Sequence, residues 1–195
     1  VAYSKDGRFV IGGTSEGVLQ LFSVDTPSRP KSVINTNTSS PIHHILMIAN
    51  TNSPKGLIVC KMGNGVVNVY DFGSMLWGKS EAQALVCSWK GLIKVSSDDS
   101  ICINEDDSIL CLTTTTRDSH GNDGKKEKEG RSEQASHLVF IRLKDALEFV
   151  KKKTKDTPTQ DLQQFVLHMA LPSTTIPHCT WWSPKTNQVF ITTQS

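Results

Sequence analysis

Ser4-Lys5-Asp6-Gly7, followed by the run Arg8 to Thr14, the turn Ser15-Glu16-Gly17 and the strand Val18-Leu19-Gln20-Leu21-Phe22, decides the fold of this chain. The order is a tight turn, an apolar strand, a Gly-containing hairpin turn, and an alternating strand that ends on an aromatic. A weaker copy, Gly56-Leu57-Ile58-Val59-Cys60-Lys61-Met62-Gly63-Asn64-Gly65-Val66-Val67-Asn68-Val69-Tyr70-Asp71, returns about 48 residues later, a period that suits a four-stranded blade of a β-propeller. Asn64-Gly65 is a strong hairpin signal, because both residues tolerate left-handed backbone angles. Such a blade cannot bury both its faces alone, so the chain reads as a repeat array.

Working outward, 195 residues hold roughly four blades of about 45 residues each. They are expected over residues 1–36, 42–89, 100–170 and 178–195, the last incomplete. The ends read as cut from a longer array of the seven-bladed type, since closed propellers typically have 4–8 blades. Asn104-Glu105-Asp106-Asp107 occupies the position of Ser4-Lys5-Asp6-Gly7 in the third blade. Arg117 to Ser136 is polar, mixed in charge and almost free of hydrophobes, so residues 117–136 are expected to form a disordered insertion. Residues 144–153 are expected to form a short amphipathic helix, with Asp145 near its start and lysines near its end.

The bulk numbers exclude little. A net charge of +2 exerts no strong pull on nucleic acid or membrane as a whole, so nucleic-acid contact is expected to be absent or indirect. Five cysteines, none in C-x-x-C spacing, read as reduced, buried small hydrophobes of an intracellular protein. No apolar run reaches the roughly 18 residues of a membrane helix.

Candidates for chemistry are sparse. His43 and His44 are adjacent on a strand and point to opposite faces, and His168 and His178 bring no carboxylate or cysteine at ligand spacing; no metal is expected. Cys179 reads as a packed strand cysteine rather than a nucleophile. Asp6, Glu16, Asp71 and Asp106 do not converge on a paired acid and base. No phosphate-binding loop is visible, so neither catalytic residues nor a cofactor are expected. A propeller hydrolase with a channel site would need acids or histidines on its inner strands, which here carry mostly Val, Leu, Ile and Thr. Alternation exposes one of Trp181 and Trp182, and Trp181 is the candidate for partner contact. The basic tract Lys151, Lys152, Lys153, continued by Lys155, is a second candidate, for an electrostatic contact.

In ordered pieces the chain resembles the WD-repeat protein 70 (gastrulation-defective-1-like) family, in the C-terminal part of its propeller. Val1 to Gly7 looks like that family's strand and turn. Tyr70-Asp71 sits at its aromatic-Asp strand end. Leu138-Val139-Phe140 follows a loop after the Thr-rich strand Thr113 to Thr116. Trp182-Ser183-Pro184-Lys185-Thr186-Asn187-Gln188 is similar to a turn of the family. No Trp-Asp dipeptide is present, and the insertions near 117–136 and Asp145 are longer than the family's pattern. The resemblance implies a nuclear, non-catalytic scaffold for protein–protein interactions in ubiquitin-ligase-linked genome maintenance, working with a cullin-ligase adaptor. It places Tyr70 and Asp71 at the adaptor-docking strand, with Gly73 where the arginine of a Trp-Asp-x-Arg ending is expected. The alternative is a scaffold in an RNA-processing (spliceosomal) assembly.

Overall fold

The computed structural model describes residues 1–49, 55–92, 100–117, 134–152, 159–172, 176–183, 185–186 and 188–194. These form antiparallel sheets in succession. The first takes β1 (Ala2–Tyr3), β2 (Phe9–Gly13), β3 (Val18–Ser23) and β4 (Ser32–Asn35) in chain order. The second takes β5 (Ile42–Ile48), β6 (Leu57–Met62), β7 (Val67–Asp71) and β8 (Leu85–Trp89), also in order. The third takes β9 (Ile101–Ile103), β10 (Ile109–Arg117), β11 (Gln134–Arg142) and β12 (Val166–Ala170), and β13 (Ile176–Ser183) pairs with β14 (Gln188–Gln194). Each strand pairs with its sequence neighbour, which is how a blade of a propeller is wound.

The turn expected twice is built the same way twice. Asp6 Oδ1 accepts from Ser4 Oγ at 2.6 Å and from the Arg8 amide at 3.1 Å, and Ser4 Oγ accepts from the Phe9 amide at 2.9 Å. In the third blade Asn104 Oδ1 accepts from the amides of Ser108 and Ile109 at 2.9 and 2.7 Å, while Asp106 accepts from the Ser108 hydroxyl at 2.6 Å. Asp107 stands at φ 56 where Gly7 stands at φ 69. An aspartate tolerates that left-handed angle better than most residues, so the turn survives the loss of glycine.

The blades stack face to face. Ile58, Cys60 and Tyr70 of the second blade pack with Ile11, Leu19 and Leu21 of the first. Leu57, Val59, Val67 and Val69 turn the other way, against Leu110, Leu112, Val139 and Ile141 of the third. Cys102, Cys111 and Leu138 pack against Trp182, Val189 and Ile191 of the last hairpin. Hydroxyls stitch that boundary as well: Ser100 Oγ lies 2.7 Å from Thr180 Oγ1 and 3.2 Å from Thr113 Oγ1.

The structure corrects several sequence expectations. No helix is expected from the sequence between the third and fourth strands of the second blade, but Phe72 opens a one-turn helix, α1 (Phe72–Leu76). Asp71 caps it, its Oδ2 accepting from the Ser74 amide at 2.7 Å. A second turn, α2 (Glu81–Ala84), begins with the capping box of Ser80 and Gln83. Part of the 117–136 insertion is ladder: Arg117 pairs with Gln134, Thr116 with Ala135 and Thr115 with Ser136. The β-branched threonines favour this extension of the hairpin; the rest of that expectation lies outside the described residues. The third helix, α3, spans Leu143–Lys152, and Leu143, Ala146 and Leu147 bury its apolar stripe in the core between the second and third blades.

Candidate functional site

Tyr70 is wholly buried, at 0% exposure, which removes it from any docking surface. Both faces of its blade are covered, so the alternation that exposes every second residue of an open sheet does not act here. Its hydroxyl accepts from Asn68 Nδ2 at 3.0 Å and is in hydrogen-bonding contact with the Glu81 carboxylate. Burial is the main cause that holds the phenol far above its ordinary range. Asn68 is itself buried, and among the described residues its Oδ1 has no hydrogen-bond partner. Asp71 is half-buried and holds the start of α1. Gly73 lies in that helix; a Cβ there would stand 3.2 Å from Asp71 Oδ2, so a longer side chain would crowd the capping carboxylate.

The other candidates are surface groups. Trp181 is 46% exposed and stacks on Phe190, its cross-strand partner, with ring centroids 5.3 Å apart and planes 9° apart. Trp182 points the opposite way, edge-on to Phe140 at 6.5 Å. Lys151 and Lys152 are exposed in the last turn of α3, where cations suit the helix dipole. Lys153 lies outside the described residues. Nothing in the geometry brings Trp181, the α3 lysines and Asp71 together into one site.

Two cavities stand out. One, of about 560 Å³, lies against the outer strand of the second blade and is lined by Asn68, Glu81, Ser88, Trp89 and Lys90 among others. The second, of about 490 Å³, opens where turns of the first and second blades meet, beside Arg8, Lys31, Lys55 and Trp77. Sequence reading missed both, because each collects residues from separate elements of the chain. Among the described residues, no three His, Cys, Asp or Glu side chains gather in a way that could hold a metal ion.

The buried thiols give this core a pH dependence. Burial pushes Cys60 and Cys87 up from an ordinary 9.0 to about 12. Both groups are neutral in the fold, whereas the unfolded chain releases their protons at lower pH. Their contribution to stability is therefore whole below about pH 9 and is lost as pH rises from there towards about 12. The urea midpoint of unfolding should fall across this window, and a Cys60→Ala/Cys87→Ala double variant should show a shallower fall. Equal slopes for the two proteins would refute the assignment. Cys102 and Cys111 face each other across β9 and β10. The hydrogen bond from Cys111 draws Cys102 down to about 7, and the thiol that donates it is driven up.

No family profile matches the sequence, and no curated protein matches it. Among solved structures, the chain is similar to the β-propeller domain of Cps50 (Swd1) from Myceliophteria thermophila, with a TM-score of 0.60 at 10% identity. The match covers 99% of this chain and 47% of that one, so the chain spans about half the length of the propeller it matches. At that identity the likeness shows the fold: the successive sheets are blades of a β-propeller.

Proposed function

We propose that this chain is part of a WD-type propeller that serves as a non-catalytic scaffold, holding other proteins together in a nuclear complex. The observation that carries the reading is the Trp181–Phe190 stack, two large aromatic rings 46% and 40% exposed on one hairpin. Aromatic anchors of this kind dominate binding energy at protein interfaces, because they bury much area at little entropic cost. Lys151 and Lys152 supply a separate cationic patch suited to an acidic partner.

The family resemblance favours ubiquitin-ligase-linked genome maintenance as the setting. With Tyr70 buried and Gly73 in place of arginine, an adaptor contact through Tyr70-Asp71 lacks both its aromatic anchor and its bidentate donor. The scaffold reading therefore rests on Trp181 and the α3 lysines. An RNA-processing assembly is the second setting.

The test is affinity capture from nuclear extract with the tagged protein, Trp181→Ala and Lys151→Glu/Lys152→Glu, read by quantitative mass spectrometry. A defined set of proteins, depleted about tenfold or more by Trp181→Ala, is expected from a hot-spot loss of at least about 1.4 kcal/mol. Cullin-ligase subunits in that set support the first setting and RNA-processing factors the second. Identical captures by all three proteins would overturn the assignment of these surfaces.

A further inference from the structure

We infer that the groove between the first two blades is a binding site for single-stranded nucleic acid. It is built from four separate places in the chain. The β1–β2 turn and the first residue of β2 supply Lys5, Asp6, Arg8 and Phe9; the loop before β4 supplies Lys31; the turn before β6 supplies Lys55; α1 and its C-cap supply Phe72, Leu76 and Trp77. All four cations are exposed. Asp6 is the one carboxylate lining the groove among the described residues, and it is already engaged by the Ser4 hydroxyl, the Arg8 amide and, at 4.0 Å, the Arg8 guanidinium. Lys5 also faces Asp107 at the neighbouring turn, as Arg8 faces Asp6, which leaves Lys31 and Lys55 as the cations most available to an incoming anion.

The aromatic part decides which anion. Trp77 closes the last turn of α1 and is 77% exposed, more than any other ring of its size among the described residues. The floor beneath it is apolar: Phe9 and Phe72 meet edge to face at 5.7 Å, and Lys31 Nζ stands 5.8 Å from the Phe9 centroid. A run of acidic or phosphorylated side chains alone would use the cations and leave the indole idle. A duplex would offer phosphates but keep its bases stacked inward. A single strand alternates phosphates with free planar bases, and so uses both halves of the groove: cations for the backbone and an indole face for a base. The whole chain's charge of +2 does not reveal this, because the groove concentrates cations that the sequence scatters over residues 5–55.

The experiment is fluorescence anisotropy of labelled single-stranded oligonucleotides, a uridine-rich RNA and an oligo-dT of equal length, titrated with the protein over a range of salt. A duplex of the same length and a phosphoserine-rich acidic peptide serve as competitors. Trp77→Ala should weaken binding of either strand about tenfold. Lys31→Gln/Lys55→Gln should reduce the slope of log K against log salt by roughly 1.4, about 0.7 per cation removed. The control Lys144→Gln/Lys185→Gln, two exposed lysines outside the groove, should change neither. Every substituted side chain is exposed, so unchanged melting curves are expected to accompany these effects. Preference for RNA or for DNA identifies which strand the groove takes. The inference fails if neither strand binds at low salt or if Trp77→Ala binds like the parent. It also fails if the control lysines matter as much as the groove lysines, or if the duplex or acidic peptide competes as well as the single strand.

Discussion

Replacing Trp89 by alanine is expected to destabilise the protein by about 3–5 kcal/mol. Trp89 ends β8 and is 1% exposed. Its indole sits in the core shared by the second and third blades, with Val67, Leu112 and Leu162 in the same cluster. Its Nε1 donates to the Leu162 carbonyl at 3.2 Å, a bond that reaches from one blade to the short 3₁₀ segment Thr159–Phe165 of the next. Truncation leaves a large hole and strips that carbonyl of its donor, so two penalties add. At this chain length a loss of that size lowers the melting temperature by roughly 10 °C. Trp89→Phe keeps most of the apolar volume and loses the hydrogen bond, so about 1–2 kcal/mol is expected. Trp77→Ala, at an exposed position, should stay within about 0.5 kcal/mol. Urea denaturation of the three variants checks the order. If Trp89→Ala cost no more than Trp77→Ala, the shared inter-blade core would be wrong.

Local chemistry was legible in the sequence wherever a few adjacent residues decide the outcome. The Ser4-to-Gly7 turn and its Asn104-to-Asp107 counterpart were readable because side-chain oxygens and a left-handed residue specify them within four positions. That one of Trp181 and Trp182 is exposed followed from the two-residue period of a strand; the period does not say which, and the structure exposes Trp181. One-turn helices were not legible: α1 and α2 are too short to show a helical period, and only their caps, Asp71 and the Ser80–Gln83 box, mark them. Tyr70 failed as a surface residue for a different reason. In an open sheet it would face solvent or core by alternation, but β6 is buried at every position and β7 at all but Asp71, because blades cover both faces. Even Lys61 and Asn68 are drawn inside. The groove around Trp77 was invisible because no local stretch contains it; only the stacking of two blades assembles it.

Gly56→Ala is expected to cost about 3 kcal/mol or more, and comparison with Gly7→Ala separates its two causes. Gly56 holds φ +95, and a Cβ built on it would stand 2.6 Å from the Ile48 carbonyl oxygen. Gly7 holds φ +69 with nothing within 4 Å of a Cβ. Both substitutions place a side chain on a left-handed backbone, worth about 1–2 kcal/mol each. Only Gly56 adds a collision with backbone, and a carbonyl at the end of β5 cannot swing aside as a side-chain tip would. Relief would require β5 and β6 to part where Ile48 pairs with Leu57, or the amide of Phe72 to give up its 3.2 Å bond to the Gly56 carbonyl. That bond fixes the place where β7 passes into α1, so the strain would reach the helix that carries Trp77. Gly56→Ala should therefore lower the denaturation midpoint well beyond Gly7→Ala and also weaken oligonucleotide binding. Equal destabilisation by the two variants would mean that the turn before β6 yields to a methyl group, and that the close approach of Gly56 to Ile48 does not hold in solution.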